Sequence, residues 1–151
     1  MNTVSVFSGV CLFFACALVG VWVKRRFMKR ATFYEDYYHY LVFALEKISY
    51  ERMPIKEIKA SFSKGEKSEF CRLLLGEESA PPILEKEISE VKTYLSEIGT
   101  TDADTQIASL NGKCAEMKRF CDQQCVKYRK DGSLYFKLCV LLGVVAFILI
   151  V

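Results

Sequence analysis

The chain has 151 residues, 52% of them hydrophobic and 26% charged, with a formal net charge of +3 at pH 7. Once its apolar ends are set aside, that length leaves room for one modest domain and is short for most enzyme folds. The charge is segregated: residues 24–30 carry +5, residues 33–112 carry −6 and residues 113–137 carry +4. This excludes a basic nucleic-acid face, because the cations lie beside the two apolar ends, where an anionic membrane surface would be.

The first element is the uncharged run 4–23, twenty residues that reach ~30 Å as a helix, one hydrocarbon thickness. No charged side chain precedes it, whereas Lys24, Arg25, Arg26, Lys29 and Arg30 follow. The positive-inside rule then puts the N-terminus outside and the middle of the chain in the cytoplasm. The order of charges is the reverse of a cleavable signal peptide's, which weighs against the small-residue triplet Ala15-Cys16-Ala17 as a cleavage site.

From residue 33 to 50 the apolar positions Tyr34, Tyr37, Tyr38, Leu41, Leu45 and Ile48 recur every three or four residues. That spacing predicts an amphipathic helix continuing the first one with little interruption. Pro54 opens a second helix with Ile55, Ile58 and Phe62 on one face, broken at Ser63-Lys64-Gly65. A third, around 68–75, turns Phe70, Cys71, Leu74 and Leu75 inward and stops at Gly76. The acid- and proline-rich stretch 77–82 reads as an exposed loop.

The fourth helix steps through Leu84, Ile88, Val91, Leu95 and Ile98 and ends at Gly99. Thr100 or Thr101 is expected to cap the fifth, with Asp102 and Asp104 in its electropositive first turn. Its seam is read through Ile107, Leu110, Cys114, Met117, Cys121, Gln124 and Tyr128. A turn of about two residues would make these two helices antiparallel neighbours. A last apolar run, 134–151, holds Lys137 as its single charge, and Lys127, Arg129 and Lys130 precede it. It reads as a second span whose C-terminus also lies outside, or as a helix half-embedded from the cytoplasmic face.

The fold expected is all-α: transmembrane helix 1–23, a small cytoplasmic helical bundle 24–133, and transmembrane helix 134–151. No catalytic, cofactor-binding or metal-binding constellation can be read, so no enzyme, no nucleic-acid partner and no small-molecule substrate is expected. There is no Gly-rich phosphate loop and no CxxC pair, and His39 is the sole histidine. Cys121 and Cys125 are four apart, but in a reducing cytoplasm they read better as buried thiols than as ligands. Glu77, Glu78, Glu85 and Glu87 are the candidates for contact with a soluble partner.

Three stretches carry a resemblance. They are Ile48-Ser49-Tyr50-Glu51-Arg52-Met53-Pro54-Ile55, then Leu95-Ser96-Glu97-Ile98-Gly99 with Asp102 and Gln106, then Lys137-Leu138-Cys139-Val140-Leu141-Leu142-Gly143. Together with the layout they resemble stage III sporulation protein AB of spore-forming Firmicutes, with Met53 in place of a Thr and Cys139 in place of a Gly. The resemblance makes Tyr50, Pro54, Gly99, Asp102, Gln106 and Gly143 structural positions. It implies a relative of the platform protein of type II secretion and type IV pilus machines, with a six-helix cytoplasmic bundle in the mother-cell membrane facing the forespore. The implied partners are a secretion-type ATPase and other membrane subunits of the sporulation channel. The alternatives are a generic membrane scaffold and a thiol- or metal-responsive membrane regulator using Cys114, Cys121 and Cys125.

Overall fold

A computed structural model describes residues 3–64, 68–77, 83 and 85–150, with side chains from Val6 onward. Among these residues the chain is helical throughout and has no strand: α1 (Thr3–Glu46), α2 (Ile55–Ser63), α3 (Glu69–Leu74), α4 (Glu85–Glu97), α5 (Ala103–Phe120) and α6 (Val126–Ile150). A π-helical turn, Lys47–Glu51, extends α1, and another, Cys121–Cys125, joins α5 to α6. The chain divides into two compact units, Met1–Lys29 with Val126–Val151, and Arg30–Cys125. Packing thus changes at 29/30 and 125/126, whereas composition turns apolar at 23/24 and 133/134.

In the first unit, α1 and α6 pack antiparallel through glycines. A Cβ at Gly20 would lie 2.9 Å from the Cys139 Cβ, and one at Gly143 would lie 3.2 Å from the Cys16 Cβ. A Cβ at Gly132 would lie 3.0 Å from the Phe27 Cβ and 3.5 Å from the Lys24 carbonyl oxygen. The facing positions Phe13, Cys16, Gly20, Lys24 and Phe27 recur every three or four residues, as do Gly132, Phe136, Cys139 and Gly143. That period is the seam of left-handed packing with small residues at the contact. Cys139 stands where the resemblance expects glycine, and Gly20 is what lets the sulfur-bearing residue sit at the crossing.

In the second unit, the later half of α1 is covered on several sides. It buries Phe33, Tyr34, Tyr37, Tyr40, Leu41, Ala44 and, in its π turn, Ile48. This face is broader than the expected stripe, and Tyr38 and Leu45 are only half-buried. On one side Phe70 of α3 lies 5.6 Å from both the Phe33 and Tyr37 rings and 5.7 Å from Tyr40, while Phe62 of α2 is 5.3 Å from Tyr40. On another side Phe120 of α5 lies 4.7 Å from Tyr34.

The short helices are set by their ends. The Ser68 hydroxyl accepts from the Cys71 N–H and caps α3, and Gly76 follows it at φ +76°. Pro54 occupies the cap position before α2 in an extended conformation, one residue earlier than a first-turn proline. The cap of α5 is Asp102, whose carboxylate accepts from the Thr105 N–H and hydroxyl. Thr100 instead donates its hydroxyl to the Glu97 carbonyl, so neither threonine caps α5. The link between α4 and α5 is the five residues from Ile98 to Asp102 rather than two, and the helices meet where Tyr94 and Ser109 hydroxyls lie 3.4 Å apart.

The α5 seam also differs from the expected one. Leu110 and Met117 are buried as read, but Gln106 replaces Ile107, and Cys125 replaces Gln124 as the last buried position. The π turn explains the second shift, because its wider turn moves the inward position one residue along the chain.

Two core tyrosines carry hydroxyls that have no hydrogen-bond partner among the described residues, Tyr37 and Tyr40. Burial pushes the Tyr40 pKa up to about 12 and raises that of Tyr37 further. Since both folded-state values exceed the unfolded one, their contribution to stability is complete below pH 10 and is lost as pH rises through 10 towards 12. In an ultraviolet titration at 295 nm, these two tyrosines should ionise only together with loss of helicity. Ionisation of every tyrosine near pH 10 with the fold intact would contradict the buried placement.

Candidate functional site

The outer surface of the first unit is apolar. Phe7, Phe14, Leu18, Val19, Trp22, Leu134, Leu141, Leu142, Ile148 and Leu149 all point away from the helix pair. Both helices are long and apolar enough to cross a membrane, and little of either apolar stretch is buried inside the protein. A soluble core helix would bury such side chains; these do not. Basic groups lie against aromatic rings at one end of the pair, with Lys24 Nζ 5.5 Å from the Phe136 ring centre and the Arg26 guanidinium 5.8 Å from that of Trp22.

The four acidic candidates have unlike surroundings. Arg30 Nη2 donates to both Glu87 carboxylate oxygens, at 2.9 and 3.0 Å, with both side chains partly buried. Glu87 therefore ties α4 to α1, with the Arg30 guanidinium turned onto α4. Glu77 lies 3.5 Å from Arg72 with both side chains well exposed, an ion pair of small worth. Glu85 is exposed in the first turn of α4, and Glu78 lies outside the described residues.

The thiols in the second unit serve the packing. Cys121 donates to the Tyr34 carbonyl at 3.6 Å and Cys125 to the Ala31 carbonyl at 3.7 Å, which pins the second π turn to α1. Burial raises the Cys114 pKa, whereas the neighbouring Cys125 thiol lowers that of Cys121. Among the described residues no three His, Cys, Asp or Glu side chains come together in a way that could hold a metal ion.

The positions singled out by resemblance gather at one end of the second unit, opposite the end where Cys125 meets Ala31. There a groove of about 620 Å³ is lined by Pro54, Gly99 and Gln106, with Ile48, Met53, Ile55 and Ile98 as its apolar walls. Arg52, Lys56 and Lys59 supply its charge, and no Asp or Glu lines it. Asp102 stands beside it with its carboxylate turned to Thr105, hydrogen bonds that lower its pKa. Tyr50 lies just before it in the first π turn and is 86% exposed. Gly143 belongs to the other unit.

Sequence reasoning missed the groove's charge. Arg52, Lys56 and Lys59 lie within a stretch whose sum is −6, and only the geometry separates them from the acids. Arg52 is also the one non-glycine among the described residues with positive φ, at φ 50°, ψ 33°.

No protein-family model, curated protein or solved structure matches the chain.

Gly99 fixes the groove's shape. Its φ of +102° suits glycine, and a Cβ there would meet Ile55 Cγ1 at 2.9 Å. Gly99→Ala should destabilise the second unit by about 2–4 kcal/mol, from backbone strain plus overpacking. Gly112 in α5 has open space around its Cα. Gly112→Ala should stabilise by about 0.5–1 kcal/mol. Chemical denaturation of the two variants should give opposite signs; a shift of the same sign in both would show that α2 does not pack on the α4–α5 turn.

Proposed function

We propose that the chain is a non-enzymatic membrane protein that holds a small helical bundle at a bilayer surface and works through protein contacts. The observation that carries this reading is the glycine-packed α1–α6 pair with its apolar side chains turned outward. Small residues at the crossing and large ones outside suit lipid as the surrounding solvent. With Lys24, Arg25, Arg26 and Lys29 following the first apolar run and Lys127, Arg129 and Lys130 preceding the second, the positive-inside rule puts the bundle in the cytoplasm and both termini outside.

The resemblance to stage III sporulation protein AB narrows the proposal. The bundle is then the platform that couples a cytoplasmic secretion-type ATPase to the channel between mother cell and forespore, in the mother-cell membrane. Its ATPase-facing groups are the exposed carboxylates Glu77 and Glu85, together with the neighbouring Glu78 of the sequence, while Glu87 is held by Arg30 and supports the fold.

Two measurements test the proposal at its two levels. The full chain should resist alkaline carbonate extraction, and a cysteine at Glu85 in a background lacking native thiols should react with an impermeant maleimide only after permeabilisation. Release by carbonate, or labelling in intact cells, would overturn the anchored cytoplasmic placement. Separately, Glu77→Lys, Glu78→Lys and Glu85→Lys together should reduce ATPase co-purification in a salt-dependent way while insertion is retained. Undiminished recruitment would remove these carboxylates from the contact.

A further inference from the structure

We infer that the groove at the Gly99 end of the bundle is a docking site for an acidic peptide segment, carrying apolar side chains, from a soluble partner protein. The inference rests on the geometry of the second unit and stands apart from the identity of the membrane complex.

Charge complementarity is the first argument. Arg52, Lys56 and Lys59 line the groove with no carboxylate among the lining residues, although residues 33–112 are acidic overall. Of the nearby acids, Glu51 pairs with Lys47 and Asp102 is turned to Thr105, while Glu57, Glu97 and Asp104 neighbour the lining residues in sequence and are exposed without being part of the lining. A cationic groove in an acidic surround repels the chain's own surface and selects anionic ligands.

The second argument is an unanswered donor. Gln106 is only 8% exposed and lines the groove, yet its amide nitrogen has no hydrogen-bond partner among the described residues. A buried donor left unpaired is costly, and a rotation of the Gln106 side chain would bring this closed-off nitrogen to a carboxylate or backbone carbonyl in the groove. The third is the apolar wall of Ile48, Met53, Ile55 and Ile98. A bare phosphate has no use for such a wall; a peptide with aliphatic side chains between its carboxylates does.

Arg52 connects these arguments to backbone conformation. It closes the first π turn in the left-handed region, with its N–H bonded to the Lys47 carbonyl. Glycine would take that position without strain, as it does at the ends of α3 and α4. An arginine kept there sets its guanidinium on the groove at a conformational cost, and strain of this kind clusters at ligand sites.

The position gives a test in which folding and binding move in different directions. The probe is a labelled, acetylated and amidated hexapeptide of alternating glutamate and leucine, titrated into the full chain in mild detergent and followed by fluorescence anisotropy. The parent protein should bind it, and binding should weaken with added salt. Arg52→Gly should melt no earlier than the parent and bind at least ten-fold more weakly. The pair Lys56→Gln with Lys59→Gln should weaken binding similarly, and Gln106→Leu should weaken it several-fold. Lys113→Gln, outside the groove, should bind within two-fold of the parent. Equal binding by parent and groove variants would overturn the inference. So would full displacement of the peptide by millimolar inorganic phosphate, which would mark a simple anion site. Groove substitutions that change only self-association in sedimentation would assign the groove to a second copy and exclude the soluble partner.

Discussion

The ring of Phe70 is the contact on which the second unit depends. It comes from a helix of six residues, α3, too short to persist on its own in water. By touching Phe33, Tyr37 and Tyr40 at once it fastens α3 to the middle of α1, and Phe62 brings α2 onto the same rings. With α2 held there, Ile55 reaches Gly99 and closes one end of the bundle. The same crowding buries two tyrosine hydroxyls that have no partner among the described residues. The aromatic area gained in such a cluster is large enough to offset that penalty.

Much of the helical content was legible because helix ends are written in local chemistry. Gly76, Gly99 and the 3–4 spacing of Val91, Leu95 and Ile98 each act within a few residues, and the structure places all of them as read. Leu95 and Leu110 are buried near the Gly99 turn for the same reason. What escaped were features that depend on distant partners. Nothing around Arg30 tells that it will meet Glu87 rather than a lipid headgroup. The register of the apolar pair was equally hidden, since Gly20, Gly132 and Gly143 become informative only when matched with Cys139, Phe27 and Cys16. The π turn at Cys121–Cys125 has no compositional mark, so a strict α period assigned the seam to Gln124 instead of Cys125.

The charged residues show why summed charge is a coarse guide. Residues 33–112 sum to −6, which directs attention to the carboxylates. Folding uses one of those, Glu87, as an internal tie, leaves Glu85 exposed, and sorts Arg52, Lys56 and Lys59 into a groove free of acid. A stretch of one net sign can thus present both signs on different faces.

The antiparallel α1–α6 pair also has a thermodynamic effect. The second unit begins at Arg30, partway along α1, and ends at Cys125, so its two ends continue into helical segments that pack together where Phe27 meets Gly132. In the unfolded state such a clasp acts as a covalent cross-link does, by denying the intervening chain most of its end-to-end freedom. By the chain-entropy model of cross-links, closing a loop of roughly 100 residues is worth about 4–5 kcal/mol. A bundle with short helices, and with two tyrosine hydroxyls unpartnered among the described residues, therefore gains from this helix pair a stability that the same residues, cut free, would lack.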